Sequence, residues 1–155
     1  MRRDDQRAMI AQTIQLALAP VFVLVAIGNI MNILTTRLGR IVDRSRSLKT
    51  LHAATKDAQH DEVVVEMRFV DRRIQLIGRA LLVLVMSGLG IGVTVGMVFI
   101  GEILGIELRT LTASTFFLSI SLLMLALVFL LMETRLVAQS LRLPPELLEL
   151  HRKDI

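Results

Sequence analysis

The side chains best able to do chemistry lie at the end of a long apolar stretch near the N-terminus and directly after it. They are two asparagines, a threonine, two arginines and an aspartate: Asn29, Asn32, Thr36, Arg37, Arg40 and Asp43. On a helix that turns by about 100° per residue, all of them except Arg37 fall on one face. Amides and hydroxyls can replace part of an ion's hydration shell, and rings of arginine favour anions. The pattern predicts that this face lines a pore or the axis of a homo-oligomer.

Asn29 is the most informative of these residues because of its depth. If the first apolar stretch is centred near Val23, Asn29 lies about 9 Å from the midplane of a bilayer, within the hydrocarbon. An amide without partners there costs several kcal/mol. We expect either that the asparagines of several copies meet around an axis, or that Asn29 bonds to Ser87 or a backbone carbonyl within the chain.

Three apolar stretches must position these residues, over about 10–36, 80–101 and 111–132. A bilayer core about 30 Å thick requires roughly 20 helical residues to cross it, and 54% of the chain is hydrophobic. The sequence therefore predicts an all-α integral membrane protein with three transmembrane helices, in a single domain over residues 1–155. The sequence 17–19 resembles a signal-peptidase site, but Pro20 follows it, so we expect the first span to be retained.

Basic residues set the predicted topology. Residues 37–79 hold ten of them, whereas the link 102–109 holds only Arg109. Because short loops rich in Lys and Arg stay in the cytoplasm, we expect 37–79 and the tail 133–155 inside and the N-terminus outside. The net charge of +4 is then explained by topology and by anionic lipid at the arginine-rich segment, and we expect no nucleic-acid partner.

The segment 37–79 is expected to be structured, because two heptad-like apolar stripes flank a polar turn near 55–61. The stripes comprise Leu34, Leu38, Ile41 and Leu48, then Val63, Met67, Val70, Ile74 and Ile77. We predict that the first two spans continue into the cytoplasm as an antiparallel helical hairpin. The hairpin is either a stiff connector or a docking surface for a partner.

Small and charged residues mark the remaining helices. Gly88, Gly92 and Gly96 are spaced by four in the second span, which predicts a groove that another helix can approach closely. Glu133 and Arg135, at the end of the third span, are expected to be ordinary interface charges.

Signatures of catalysis are missing from the sequence. It contains no cysteine, no Gly-rich phosphate loop, no paired-histidine metal motif and no nucleophile elbow. His52, His60 and His151 are scattered along the chain. We expect neither an enzyme nor a bound metal or cofactor.

The stretch 32–46, NILTTRLGRIVDRSR, resembles the RLGRIVDRxR signature of a bacterial family of small membrane proteins catalogued as domain of unknown function 2721. The three spans, and the arginines at 68, 72, 73 and 79 before the second span, agree with this resemblance over nearly the whole chain. The resemblance implies a bacterial inner (plasma) membrane location and carries no activity with it.

Two functions remain open from the sequence. The first is a small homo-oligomeric channel lined by helix one, with Arg37 and Arg40 at its cytoplasmic mouth. The second is a non-conducting scaffold or accessory subunit that docks a partner through the hairpin. No acidic residue lies deep in a span, which disfavours a proton-coupled transporter.

Overall fold

Three long helices account for almost all of the described chain. The computed structural model describes residues 3–56 and 58–140, and within them it contains α1 (Arg3–Ala54), α2 (Ala58–Leu104) and α3 (Arg109–Ser140). These described segments contain no β-strand. All three helices are long and apolar enough to cross a membrane, which confirms the predicted all-α class with three membrane-span helices.

The first two helices are much longer than a bilayer requires. α1 has 52 residues and continues through Pro20, and α2 has 47 residues. At a rise of 1.5 Å per residue they measure about 78 Å and 70 Å, against about 30 Å of hydrocarbon. More than half of each helix must therefore extend beyond the hydrocarbon. The predicted C-terminal tail begins as helix, since α3 reaches Ser140, and residues 141–155 lie outside the described part of the chain.

α2 is the central helix. It packs along both α1 and α3, whereas α1 and α3 touch each other little. In the most apolar window of each helix, only 17% (α1), 22% (α2) and 17% (α3) of the residues are buried within the chain. Most of the apolar surface of the helices is therefore available to lipid or to other chains.

Most of the buried residues repeat every seven positions. One row comprises Ile27, Leu34, Ile41 and Leu48 in α1, and another comprises Ser119, Ala126 and Glu133 in α3. α2 has two such rows, Val70, Ile77, Leu84 and Ile91, and Ala80, Ser87 and Thr94, whereas Leu123 of α3 is buried outside the repeat. A seven-residue repeat keeps the same helix face toward its partner, as in a coiled coil. The remaining residues of the predicted hairpin stripes, Leu38, Val63, Met67 and Ile74, are partly buried against the same core. The α1–α2 seam therefore runs without interruption from residues 27 and 91 toward the turn.

The turn between α1 and α2 is shorter than the polar stretch predicts. α1 ends at Ala54 and α2 begins at Ala58, so residues 58–61 are helical rather than part of the turn. Asp61 lies in the first turn of α2, where a carboxylate is favoured by the helix dipole. The Thr55 N–H donates to the Leu51 carbonyl at 3.0 Å, which extends the hydrogen bonding of the last turn of α1.

The link between α2 and α3 is a tight helix end. Gly105 has a φ of 63°, in the left-handed region that glycine adopts at lowest cost. The Ile106 N–H donates to the Gly101 carbonyl at 3.1 Å, which is the six-to-one bond of a Schellman cap. Four residues after Gly105, α3 begins at Arg109 and returns along α2.

Candidate functional site

A buried carboxylate joins the three helices where the apolar part of α3 ends. The Glu133 side chain is 0% exposed, and it directly follows the apolar stretch 122–132. Arg73 of α2 donates from Nε and Nη2 to Glu133 Oε1, at 3.0 and 2.8 Å. Arg37 of α1 donates from Nη1 to Glu133 Oε2, at 3.3 Å. We call this three-residue ion cluster the clamp.

The clamp satisfies a group that is very costly to bury alone. A buried carboxylate without partners loses several kcal/mol of solvation, and here each oxygen accepts from a guanidinium. Arg73 is the stronger partner, since it supplies two bonds and is 23% exposed, whereas Arg37 supplies one longer bond and is 40% exposed. Because α1 and α3 otherwise touch little, the bond from Arg37 to Glu133 links them directly.

The sequence did not identify Glu133 as special, and the expectation that it is an ordinary interface charge is wrong. A signal was present: the residue is a lone acid at the end of the apolar stretch 122–132, while Arg37 and Arg73 lie near the ends of the other two spans. Arg37, which was predicted to line a pore mouth, places its guanidinium against this carboxylate within one chain.

A cavity of about 470 Å³ lies beside the clamp, between the three helices. Its lining comprises Arg37, Arg40, Ile41, Arg44, Val70, Arg73, Thr134 and Val137. Four of these eight residues are arginines and none is acidic. We call it the basic cavity.

The arginines of the basic cavity differ in how far they are already paired. Arg37 and Arg73 hold Glu133, and Arg44 makes two bonds to Glu66 of α2, at 2.8 and 2.9 Å. Arg40 is exposed and makes no ion pair with any residue in 3–56 or 58–140. Two carboxylates therefore offset four guanidinium groups, and the site keeps a formal charge of +2.

The polar face predicted on α1 is exposed along its whole length. Asn29, Asn32, Thr36, Arg40 and Asp43 are all exposed in the isolated chain. Two of these side chains already contact neighbouring residues of α1, so they are less free to turn toward a lumen. The Thr36 hydroxyl donates to the Asn32 carbonyl at 2.8 Å, and the Asp43 carboxylate lies 3.8 Å from Arg46.

Asn29 has no side-chain hydrogen bond to any described residue, 3–56 or 58–140. Of the two alternatives for Asn29, the bond to Ser87 is therefore not formed. Ser87 is fully buried, and its hydroxyl donates to the Ser119 carbonyl of α3 at 2.7 Å. The amide of Asn29 is left facing out of the chain, at the depth where the sequence places hydrocarbon.

Toward the N-terminus the same face of α1 becomes apolar. Leu18, Phe22 and Val25 lie within about 40° of Asn29 around the helix axis, and all three are exposed, Phe22 by 69%. We call the face from Leu18 to Thr36 the α1 stripe.

The glycine groove of α2 is largely open. A Cβ at Gly88 would lie 3.6 Å from Ile27 of α1, whereas one at Gly92 or Gly96 would meet no described atom within 4 Å. The close approach occurs at Gly90, where a Cβ would overlap the Ser119 hydroxyl of α3. Spacing in the sequence singled out the first three glycines and missed Gly90, because it does not show which face of α2 meets α3.

Two of the scattered histidines meet near the hairpin turn. The rings of His52 and His60 lie 4.3 Å apart, and His60 Nδ1 is buried without a partner among the described residues. Within residues 3–56 and 58–140, no group of three or more His, Asp or Glu side chains is placed to hold a metal ion.

Comparison with known proteins agrees with the resemblance seen in the sequence. No curated protein and no solved structure matches the chain. A family model described as "Protein of unknown function (DUF2721)" matches residues 17–143, which include the α1 stripe, the hairpin, the clamp and the basic cavity. The chain therefore belongs to the DUF2721 family, whose function is uncharacterised.

Proposed function

We propose that the protein is a non-conducting membrane scaffold that self-associates through α1 and presents the helical hairpin to a cytoplasmic partner. The observation that carries the proposal is the α1 stripe: an exposed amide, Asn29, within a span whose face continues outward as exposed Leu18, Phe22 and Val25.

Self-association follows from the state of Asn29 in the single chain. Its amide has no bond to another described side chain, and lipid tails offer none. Asparagines from neighbouring copies can bond to one another across helices, which in model peptides contributes about 1–2 kcal/mol. The apolar half of the stripe, with Phe22 69% exposed, supplies the van der Waals packing that such an interface also needs.

The same stripe favours a closed axis over a water-filled pore. Leu18 and Val25 are seven residues apart, so a lumen lined by this face would be apolar over about 10 Å. Constrictions of this kind exclude water. Arg37 is moreover held by Glu133 within its own chain, which removes one of the two arginines assigned to the pore mouth.

A homo-oligomeric channel remains the second candidate, because Asn29, Asn32 and Arg40 are exposed on one face of α1. In a channel these side chains would surround the cytoplasmic half of the lumen, and Phe22 would form the gate.

The hairpin suits docking because it is stiff and carries exposed apolar residues. From Arg37 to Ala54, α1 extends about 25 Å, and the Arg44–Glu66 pair and the clamp fix its base to α2 and α3. Val65 is 66% exposed on the α2 arm. We place the hairpin on the cytoplasmic side of the membrane because of its ten basic residues, with its base in contact with anionic lipid. The family resemblance is the basis for assigning that membrane as a bacterial inner membrane.

The test is the mass of the full chain in nanodiscs together with ion flux in liposomes, for wild type, Asn29→Leu and Thr35→Leu. Thr35 is a matched control, since it is exposed on α1 about 120° from Asn29 and its hydroxyl bonds to its own helix. We expect a defined oligomer that only Asn29→Leu disrupts, and no flux above empty liposomes.

Other outcomes contradict the proposal in distinct ways. A monomeric wild type, or an oligomer that Asn29→Leu leaves intact, refutes self-association through the α1 stripe. Flux that depends on Asn29 replaces the scaffold with the channel.

A further inference from the structure

We infer that the basic cavity binds the phosphate group of an anionic phospholipid, with Arg40 as its main contact. The inference rests on the proposed membrane placement of the hairpin base. It does not depend on self-association or on a protein partner.

The first argument is the supply of unused donors. A guanidinium has five N–H donors, and Arg40 donates none of them to an acidic residue of the described chain. Arg37 uses only Nη1 on Glu133, and Arg73 uses Nε and Nη2, so each keeps further N–H groups. Guanidinium forks match phosphate oxygens in geometry and form short, charge-assisted bonds with them.

The second argument is the unbalanced charge. The site keeps a formal charge of +2 after its pairs with Glu133 and Glu66 are counted. No acidic residue lines the cavity, and the nearest acid along α1, Asp43, lies beside Arg46 instead. The phosphodiester of an anionic phospholipid would offset one of these two charges.

The third argument identifies the ligand as lipid. Ile33 lies two turns before Arg40 on the same side of α1, about 10 Å along the axis, and is 54% exposed. On α3, Leu131 is exposed one turn before Thr134 of the cavity. An anion in the cavity would therefore have exposed apolar surface directly on its membrane side, where acyl chains would lie.

The experiment measures lipid binding to the full-length protein in detergent by native mass spectrometry. The probes are phosphatidylglycerol, phosphatidylcholine and inorganic phosphate, added separately to wild type, Arg40→Gln and Arg72→Gln. Arg72 is the matched control, because it is an exposed arginine at the hairpin base that lies outside the cavity and makes no ion pair with a described residue.

We expect phosphatidylglycerol to bind wild type more tightly than phosphatidylcholine does. Arg40→Gln should weaken the phosphatidylglycerol complex at least about tenfold, equivalent to about 1.4 kcal/mol, and Arg72→Gln by less than about twofold. Helicity and melting temperature should not change, since Arg40 contacts no acidic partner.

Three results would overturn the inference. Equal losses for Arg40→Gln and Arg72→Gln would indicate diffuse attraction to the basic surface, and no loss for Arg40→Gln would exclude the cavity. Inorganic phosphate that binds as tightly as phosphatidylglycerol would identify a soluble anion as the ligand. The same spectra report the number of protomers, so a failure of self-association is seen separately.

Discussion

Glu133→Gln tests whether the clamp holds the three helices together. The substitution keeps the shape of the side chain, and its remaining carbonyl can still accept both bonds from Arg73. Those two bonds lose the negative charge of their acceptor, at about 1 kcal/mol each. The new NH2 faces Arg37 donor to donor, but this loss is small because Arg37 is 40% exposed and its bond is 3.3 Å long. We expect the free energy of unfolding to fall by about 2–3 kcal/mol.

The absence of cysteine provides the assay. Two dyes attached to Lys49→Cys on α1 and Arg135→Cys on α3, both exposed positions, report the distance between these helices by energy transfer. Titration of the detergent-solubilised protein with dodecyl sulfate then gives the free energy of unfolding. Intrinsic fluorescence cannot serve, since the chain has neither Trp nor Tyr.

The two arginine partners of Glu133 should be unequal. Arg73→Gln leaves a buried carboxylate with one long bond to Arg37, so we expect a loss of about 2–4 kcal/mol. Arg37→Gln should cost about 1 kcal/mol or less, because that guanidinium already contacts solvent. A Glu133→Gln protein within about 0.5 kcal/mol of wild type, a limit set by ordinary surface substitutions, would refute the clamp. Equal losses from the two arginine variants would refute the ranking.

Two further expectations concern packing and orientation. Gly90→Ala should destabilise the chain by about 1–2 kcal/mol, since the added Cβ would displace the Ser119 hydroxyl. The control Gly92→Ala should be neutral or stabilising in the same titration, because its Cβ enters open space and alanine favours the helix; equal losses would contradict the assigned α2–α3 contact. With the hairpin inside, a membrane-impermeant thiol reagent added to intact bacterial cells should label Glu107→Cys and leave Lys49→Cys unlabelled until the membrane is permeabilised. The reverse labelling would invert the topology.

How much of the fold the sequence predicts depends on whether a feature is repeated along one helix. Leu34, Ile41 and Leu48 recur at seven, and each is buried in the structure. A repeat of this kind predicts both a helix and the face by which that helix packs, because residues seven positions apart lie on the same side of the helix. The hairpin stripes could therefore be read without knowledge of any other helix.

The clamp could not be predicted in this way, because it depends on how the three helices are staggered along one another. Nothing near Glu133 in the sequence shows that Arg73, 60 positions earlier, supplies both bonds to one of its oxygens. The same limit explains why Gly90 was missed, since its role depends on the register of Ser119 on α3. Charge alone places arginines at a membrane boundary, but only the packed helices show that Arg40 is left without an acidic partner among the described residues.

The position of the clamp follows from a change in what holds the helices together. In the hydrocarbon, α1 and α2 gain little from hiding Ile27 or Leu34, because lipid is equally apolar, and close packing has to suffice. Around Leu48 water surrounds the hairpin, and burial of apolar surface is itself favourable. Between these regions both effects are weak, and α1 and α3 have little contact of their own. A fully buried carboxylate bonded to both neighbouring helices supplies, at that level, the attachment that the apolar seam provides elsewhere. The pairing also fixes the stagger of the helices, because a shift of one turn, about 5.4 Å, would leave Glu133 buried without its arginines.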